Sequence, residues 1–223
     1  MGQPMRWPDH SALLDLILVA MLTSASYVVA LWLDLFDDKV VSVDYNRDQG
    51  FLTGMGIDVA DPKKNGDEAA TGKYSGGDYT IACNVASLGN EADGQKAMEN
   101  CLAKNKDINV IYTINEPAAA GAAAAMKAAG HEPGSYVMVS VDGGKAGVEN
   151  VKAGLIGATS QQYPLLMADL GVKAISEIAK GGAKPANSPG LDFFNTGVKL
   201  ITNEPMDGVP SETVQYGLDN AWG

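Results

Sequence analysis

The chain has 223 residues, 46% of them hydrophobic, and a formal net charge of −11 from 27 acidic against 16 basic residues. That is enough apolar material for a core and excludes wholesale disorder; the acidic balance argues against a surface built for nucleic acid or anionic lipid. Two cysteines and two histidines match neither a zinc cluster nor a disulfide-dense scaffold, and they leave little imidazole for metal ligation or base catalysis.

Residues 16–33, LILVAMLTSASYVVALWL, carry no charge. Three readings stay open there. A membrane span is at its short limit and has Thr23, Ser24 and Ser26 in its middle. A secretory signal has Arg6 ahead of the apolar run and a small-residue patch at 24–26, but Asp9 and Asp15 offset the positive charge. In the third reading YVVALWL is a buried parallel strand and LLDLILVAML the helix before it.

DLFDDKVVS then reads as a loop with Ser42 as a helix cap, and VDYNRDQGFLTGMG as a helix. Residues 58–77 are polar, rich in glycine and without periodicity, which predicts a long surface loop. From there strands and helices alternate. DYTIACNV is a strand, EADGQKAMENCLAKN a helix, INVIYTI a strand, and PAAAGAAAAMKAA a helix stopped by Gly130. His131, just beyond it, reads as a solvated turn residue. YVMVSV is a strand, AGVENVKA a short helix, LIGATS a strand, PLLMADLGVKAISEIAK a helix and LDFFNTGVKLIT a last strand. In PLLMADLGVKAISEIAK, Leu166, Leu170, Ala174 and Ile178 recur every four residues, a stripe expected to face a sheet. Such alternation predicts an α/β fold with a doubly wound parallel sheet covered on both faces.

In such sheets ligands bind beyond the carboxyl ends of the strands. Asn115 follows INVIYTI, Asp142 follows YVMVSV, Gln161 and Gln162 follow LIGATS, and the loop after DYTIACNV brings Asn90 to a helix start. Each has a plain structural reading: Asn115 as the cap of the helix that Pro117 begins, Asp142 in an Asx turn with Gly143, and the glutamines in solvent. Taken together they fall on one sheet edge. Amides plus one carboxylate suit a neutral ligand studded with hydroxyls. No nucleophile–base pair, metal triad or phosphate-cradling loop accompanies them, so neither enzyme chemistry nor a cofactor or metal is expected. The alanines at 118–120 and 122–125 are expected to let their helix lie close to the sheet, with its amino end aimed at the crevice.

YNRDQGF, TINEPAAAGA, VSVDGGKAGVENVKAGLIGATSQQYP and LDFFNTG, in that order, resemble the periplasmic sugar-binding proteins of ABC transporters, in the ribose- and fructose-binding branch. The resemblance runs from about Tyr27 to Gly223. It implies a two-lobed, hinge-closing protein that binds a monosaccharide outside the cytoplasm and hands it to a membrane permease. It also implies that Arg47, in R-x-x-G-F, grips sugar oxygens alongside Asn115, Asp142 and Gln162. The aromatic ring that stacks on sugar in the ribose branch is absent from VASLG, and Asn90 is a weak substitute. Relatives carry a substantial first lobe before this region, so the chain resembles one complete lobe plus a remnant of the other. On that basis residues 1–56 are expected to hold the apolar segment and first-lobe remnant, 57–165 the second lobe, and 166–223 a crossover helix and return strand. The sugar-sensing core of a lactose-repressor-type regulator shares the fold and is the alternative; its basic DNA-binding head has no counterpart in an apolar amino terminus. Cys83 and Cys101 are compatible with a disulfide or with two buried thiols.

Overall fold

A computed structural model describes residues 26–34, 42–74, 77–191 and 193–223. The signal, span and helix readings of residues 16–25, and most of the loop read over 34–42, lie outside these. Among the described residues, no helix is long and apolar enough to cross a membrane.

The described chain forms one seven-stranded sheet. Its strands are β1 (Ser26–Asp34), β2 (Thr71–Tyr74), β3 (Gly77–Ala86), β4 (Val110–Thr113), β5 (Val137–Asp142), β6 (Ala158–Gln161) and β7 (Lys199–Thr202), in the spatial order β2-β3-β1-β4-β5-β6-β7. Neighbours from β3 to β6 pair in parallel, whereas β2 and β7 close the two edges antiparallel. Six helices accompany them: α1 (Ser42–Met55), α2 (Glu91–Lys104), α3 (Glu116–Ala128), α4 (Lys145–Lys152), α5 (Pro164–Ala179) and α6 (Val214–Asp219).

Side chains alternate across the strands, as a pleat requires, and build a core on each face. Ile111 and Met138 face one side with Met98 and Leu102 of α2, Ala119 and Met126 of α3, and Val148 of α4. Tyr112, Val139 and Val141 face the other with Phe51, Leu52 and Met55 of α1. Phe51 stacks on Tyr112, ring centroids 4.5 Å apart. The doubly wound α/β architecture is therefore present.

Several expectations change in detail. β1, expected within a remnant of a first lobe, lies between β3 and β4 in the sheet. A parallel register is fixed by partners far away in sequence, and an apolar run alone does not reveal it. The long loop 58–77 contains β2, a short edge strand of mixed exposure. The last strand shrinks to Lys199–Thr202 and runs antiparallel. Ser42 is the first residue of α1 rather than a residue ahead of it.

The alanine helix α3 does lie close to its neighbours, and the tightest of them is α2. A Cβ at Gly94 would collide with the Ala118 backbone, and one at Gly121 with the backbone of Glu91 and Gln95. Ala118, Ala119 and Ala122 are fully buried. Small residues on both helices thus allow near backbone contact, with alanine keeping helix propensity high. Cys83 of β3 and Cys101 of α2 form a disulfide, Cα atoms 5.6 Å apart, which ties this helix layer to the sheet.

The helix α5 behaves differently. It has the expected apolar stripe but no buried residue; Leu165, Val172 and Ile175 are about 70% exposed or more (77%, 68% and 69%). The stripe is not packed on the sheet: Leu166 and Ile178 are exposed, and Leu170 and Ala174 are only half-buried.

Candidate functional site

The strand order reverses about β1: the chain passes from β1 to β3 on one side and then places β4 on the other. Such a switch point opens a crevice at the carboxyl ends of the central strands. The expected residues gather there.

Asp142 ends β5 with φ 146°. Non-glycine residues rarely adopt that region, and holding one there costs of the order of 1–3 kcal/mol, a cost usually met only where the surroundings over-determine the conformation. The surroundings here are specific. Arg47 of α1 donates to the Asp142 carboxylate (Nη2 to Oδ1, 3.2 Å) and to the Ile114 carbonyl (Nη1, 2.9 Å). Gln162 donates Nε2 to the same Oδ1 at 2.9 Å. Asp142 is 8% exposed. Burial pushes its carboxyl above the usual range, against the opposing pull of Arg47 and Gln162. Trp222 closes the turn from behind, its indole N–H donating to the Asp142 carbonyl at 3.2 Å.

Asn115 sits one residue past the carbonyl that Arg47 holds. Its Oδ1 accepts from the Ala118 N–H, and its Nδ2 donates to the Gly89 carbonyl. It is the cap of α3 and also fixes the loop before α2 against the rim. Asn90 is more distant in role: it caps α2, accepting from the Asp93 N–H and donating to the Asp93 carboxylate, and it is exposed. The structure thus joins Arg47, Asp142 and Gln162 directly, sets Asn115 beside them, and turns both polar groups of Asn90 to Asp93 at the start of α2. Gln161 is fully buried and structural, donating to the carbonyls of Gly143 and Gly217.

A cavity of about 750 Å³ opens beside this rim. Arg47, Ser160 and Gln162 line it together with Leu170, Phe193 and Phe194. Asp142, Asn115 and Asn90 are not among its lining residues. Its volume exceeds what one sugar ring fills, and the surplus is apolar space under α5.

One residue of the site escaped sequence reasoning. Glu116, the first residue of α3, is 6% exposed. Its carboxylate accepts from the Gly143 and Gly144 N–H groups (both 2.9 Å) and the Thr159 hydroxyl (2.6 Å). Burial raises its pKa to about 7 in spite of those three donors. An acid in the first turn reads as ordinary complement to the helix dipole. Only the run of glycines at 143, 144 and 147 hinted that a side chain from elsewhere fills that space.

The fold and rim together form an open α/β sheet with directional hydrogen-bonding groups at three successive strand ends. Residues 57–183, more than half of the chain, match the periplasmic binding protein domain; the chain belongs to that family. It is similar to the ribose import binding protein RbsB of Haemophilus influenzae, 38% identical over 96 residues, which cover 43% of this chain and 32% of that protein. Among solved structures, it resembles an ABC transporter periplasmic solute binding protein from Actinobacillus succinogenes with bound D-allose. The TM-score is 0.65 at 16% identity, over 88% of this chain and 58% of the other. A solute binding protein from Agrobacterium vitis with bound D-fucose gives a TM-score of 0.64 at 22% identity, over 96% and 63%. These structural likenesses establish the fold. The chain spans about a third of the length of its curated relative and about three-fifths of these structural relatives.

Proposed function

We propose that this chain is the substrate-binding component of an ABC-type sugar uptake system, located in the periplasm, which holds a monosaccharide without transforming it. The observation that carries this reading is the Asp142 carboxylate, nearly buried, conformationally strained and held between Arg47 and Gln162 at the strand-end rim. A buried carboxylate flanked by donors is suited to accept from sugar hydroxyls, and charge-assisted bonds of this kind are about twice as strong as neutral ones. Arg47, Asn115 and Gln162 are the further ligand contacts, with Asn90 at the margin. The sugars in the related proteins, ribose in the name of one and D-allose and D-fucose bound in two others, place pentoses and hexoses first among ligands to try.

In this reading the second lobe starts at β1 and runs through residue 165. The segment 166–198, which includes nearly all of α5, is the part that crosses to a first lobe, and β7 with α6 returns. Ligands gain affinity by enclosure, so a lobe presenting one side of the cleft is expected to bind weakly. The membrane permease of the transporter is the partner that receives the sugar. A thermal-shift screen of D-ribose, D-allose, D-fucose and a panel of nucleotides tests the class. Stabilisation by at least one sugar is expected, and stabilisation by a nucleotide with none by any sugar would overturn it.

A further inference from the structure

The geometry points to Glu116 as a positioning residue: its carboxylate clamps the turn 142–144 so that the Asp142 carboxylate is presented to the rim. This rests on the reading above, in which that rim holds the ligand.

Four observations converge. Both carboxylate oxygens of Glu116 are occupied, Oε1 by the Gly143 N–H and the Thr159 hydroxyl, Oε2 by the Gly144 N–H. Those N–H groups belong to the two residues that follow Asp142, so the side chain grips the turn rather than the carboxylate itself. The Glu116 backbone N–H also favours the ionised form of Asp142. The Glu116 side chain therefore braces the strained turn. Finally, α4 makes room for the brace. A Cβ at Gly147 would overlap the Glu116 carboxyl group, and one at Gly144 would come within 3.3 Å of Oε2.

The arrangement explains how an unfavourable φ at Asp142 persists. Two backbone N–H donors and a hydroxyl converge on a buried acceptor, and leaving any of them unpaired in the interior costs about as much as the strain itself. Among charged groups, Asp142 on β5 acts on Glu116 directly, and Arg47 on α1 reaches it through Asp142. The other elements packed against it present uncharged groups, Thr159 from β6 and Gly147 from α4. With a pKa near 7, Glu116 changes charge in the neutral range. Protonation turns one acceptor oxygen into a donor, which a backbone N–H is unable to accept.

The full chain, labelled with ¹⁵N and followed by NMR from about pH 5 to about pH 9, tests this in a range that brackets the raised pKa. The Gly143 and Gly144 amide resonances and the Trp222 indole N–H, which reports on the Asp142 carbonyl, are expected to move together with a midpoint near 7. In Glu116→Gln all three should stop titrating, and the two amides should exchange with solvent about tenfold faster. Three unrelated midpoints, or a titration that survives in Glu116→Gln, overturns the clamp. If Glu116→Gln does not fold, Thr159→Val removes a single donor and should move the shared midpoint upward; an unmoved midpoint again overturns it. Calorimetric titration with D-allose separates this proposal from the one beneath it. No binding by the unaltered chain to D-allose or D-ribose sinks the ligand reading, while the three resonances still decide the clamp. Binding by the unaltered chain that is undiminished in Glu116→Gln sinks the positioning role, for which a loss of about tenfold is expected.

Discussion

Helices α3 and α5 follow strands of the same sheet, both are rich in apolar residues, and they end in opposite environments. Helix α3 is pressed against α2 with fully buried alanines, whereas α5 has no buried residue. The difference lies in side-chain size and in what faces each helix. Glycines at 94 and 121 remove the bulk that would separate α2 from α3. The Leu166, Leu170, Ala174, Ile178 stripe of α5 has a proper helical period, but none of it is buried: Leu166 and Ile178 are exposed, and Leu170 and Ala174 only half-buried along the cavity. Periodicity states that a face wants a partner; it does not supply one. A stripe of this kind fits a helix that packs on a neighbouring lobe, and large exposed apolar surface usually marks such a contact.

The largest expected effect concerns the amino end of α3. Glu116 has a folded pKa of about 7, raised from the usual carboxylate value of 4.5 mainly by burial. A raised acid favours the folded state most when protonated, so its contribution is full below about pH 4.5 and is lost as pH rises through about 7. Stability is expected to fall by up to about 3 kcal/mol across that window, and Glu116→Gln should flatten the slope. Urea denaturation at several pH values, of the unaltered chain and of Glu116→Gln, measures it.

Removing the Cys83–Cys101 bond, by reduction or by Cys83→Ala with Cys101→Ala, should cost roughly 3 kcal/mol by loop-closure reasoning. Both cysteines are buried in the layer that holds α3, so the loss should be seen as a lower urea midpoint. A midpoint unchanged by reductant would mean that no bridge forms. Gly121→Val drives a branched side chain into the α2 backbone and should destabilise by about 2 kcal/mol, the usual scale of overpacking. Ile175→Ser on α5, at 69% exposure, should change stability by less than about 0.5 kcal/mol. A large loss at Ile175 would show that α5 is packed and would erase the contrast.

How much of this was legible in the sequence depends on the range of the interaction. The helix α3 was readable from local signals, since Asn115 and Pro117 start it and Gly130 follows its end. So were β4, β5 and β6, each a short apolar or small-residue run before a polar turn. The strand ends gave Asp142, Asn115 and Gln162 as a group and the family resemblance added Arg47; Arg47 and Gln162 both prove hydrogen-bonded to Asp142. Features set by distant partners were not readable. β1 lies between β3 and β4 through pairings that no local pattern records, and β2 is a four-residue edge strand within a polar stretch. The role of Glu116 depends on Gly143, Gly144 and Thr159, which follow it by 27 to 43 residues. Asn90 shows the converse: a polar residue in the right loop whose oxygen caps α2 and whose NH₂ group turns to the Asp93 carboxylate.

The claim on which the rest depends is that the rim around Asp142 holds a sugar, and calorimetric titration of the full chain against Asp142→Asn tests it most directly. The substitution keeps the shape of the side chain and removes its charge, and with it the ion pair to Arg47. With D-ribose or D-allose as titrant, the account predicts measurable binding by the unaltered chain and a loss of at least about tenfold in Asp142→Asn, the scale of one charge-assisted hydrogen bond. Equal affinity in the two proteins would contradict it.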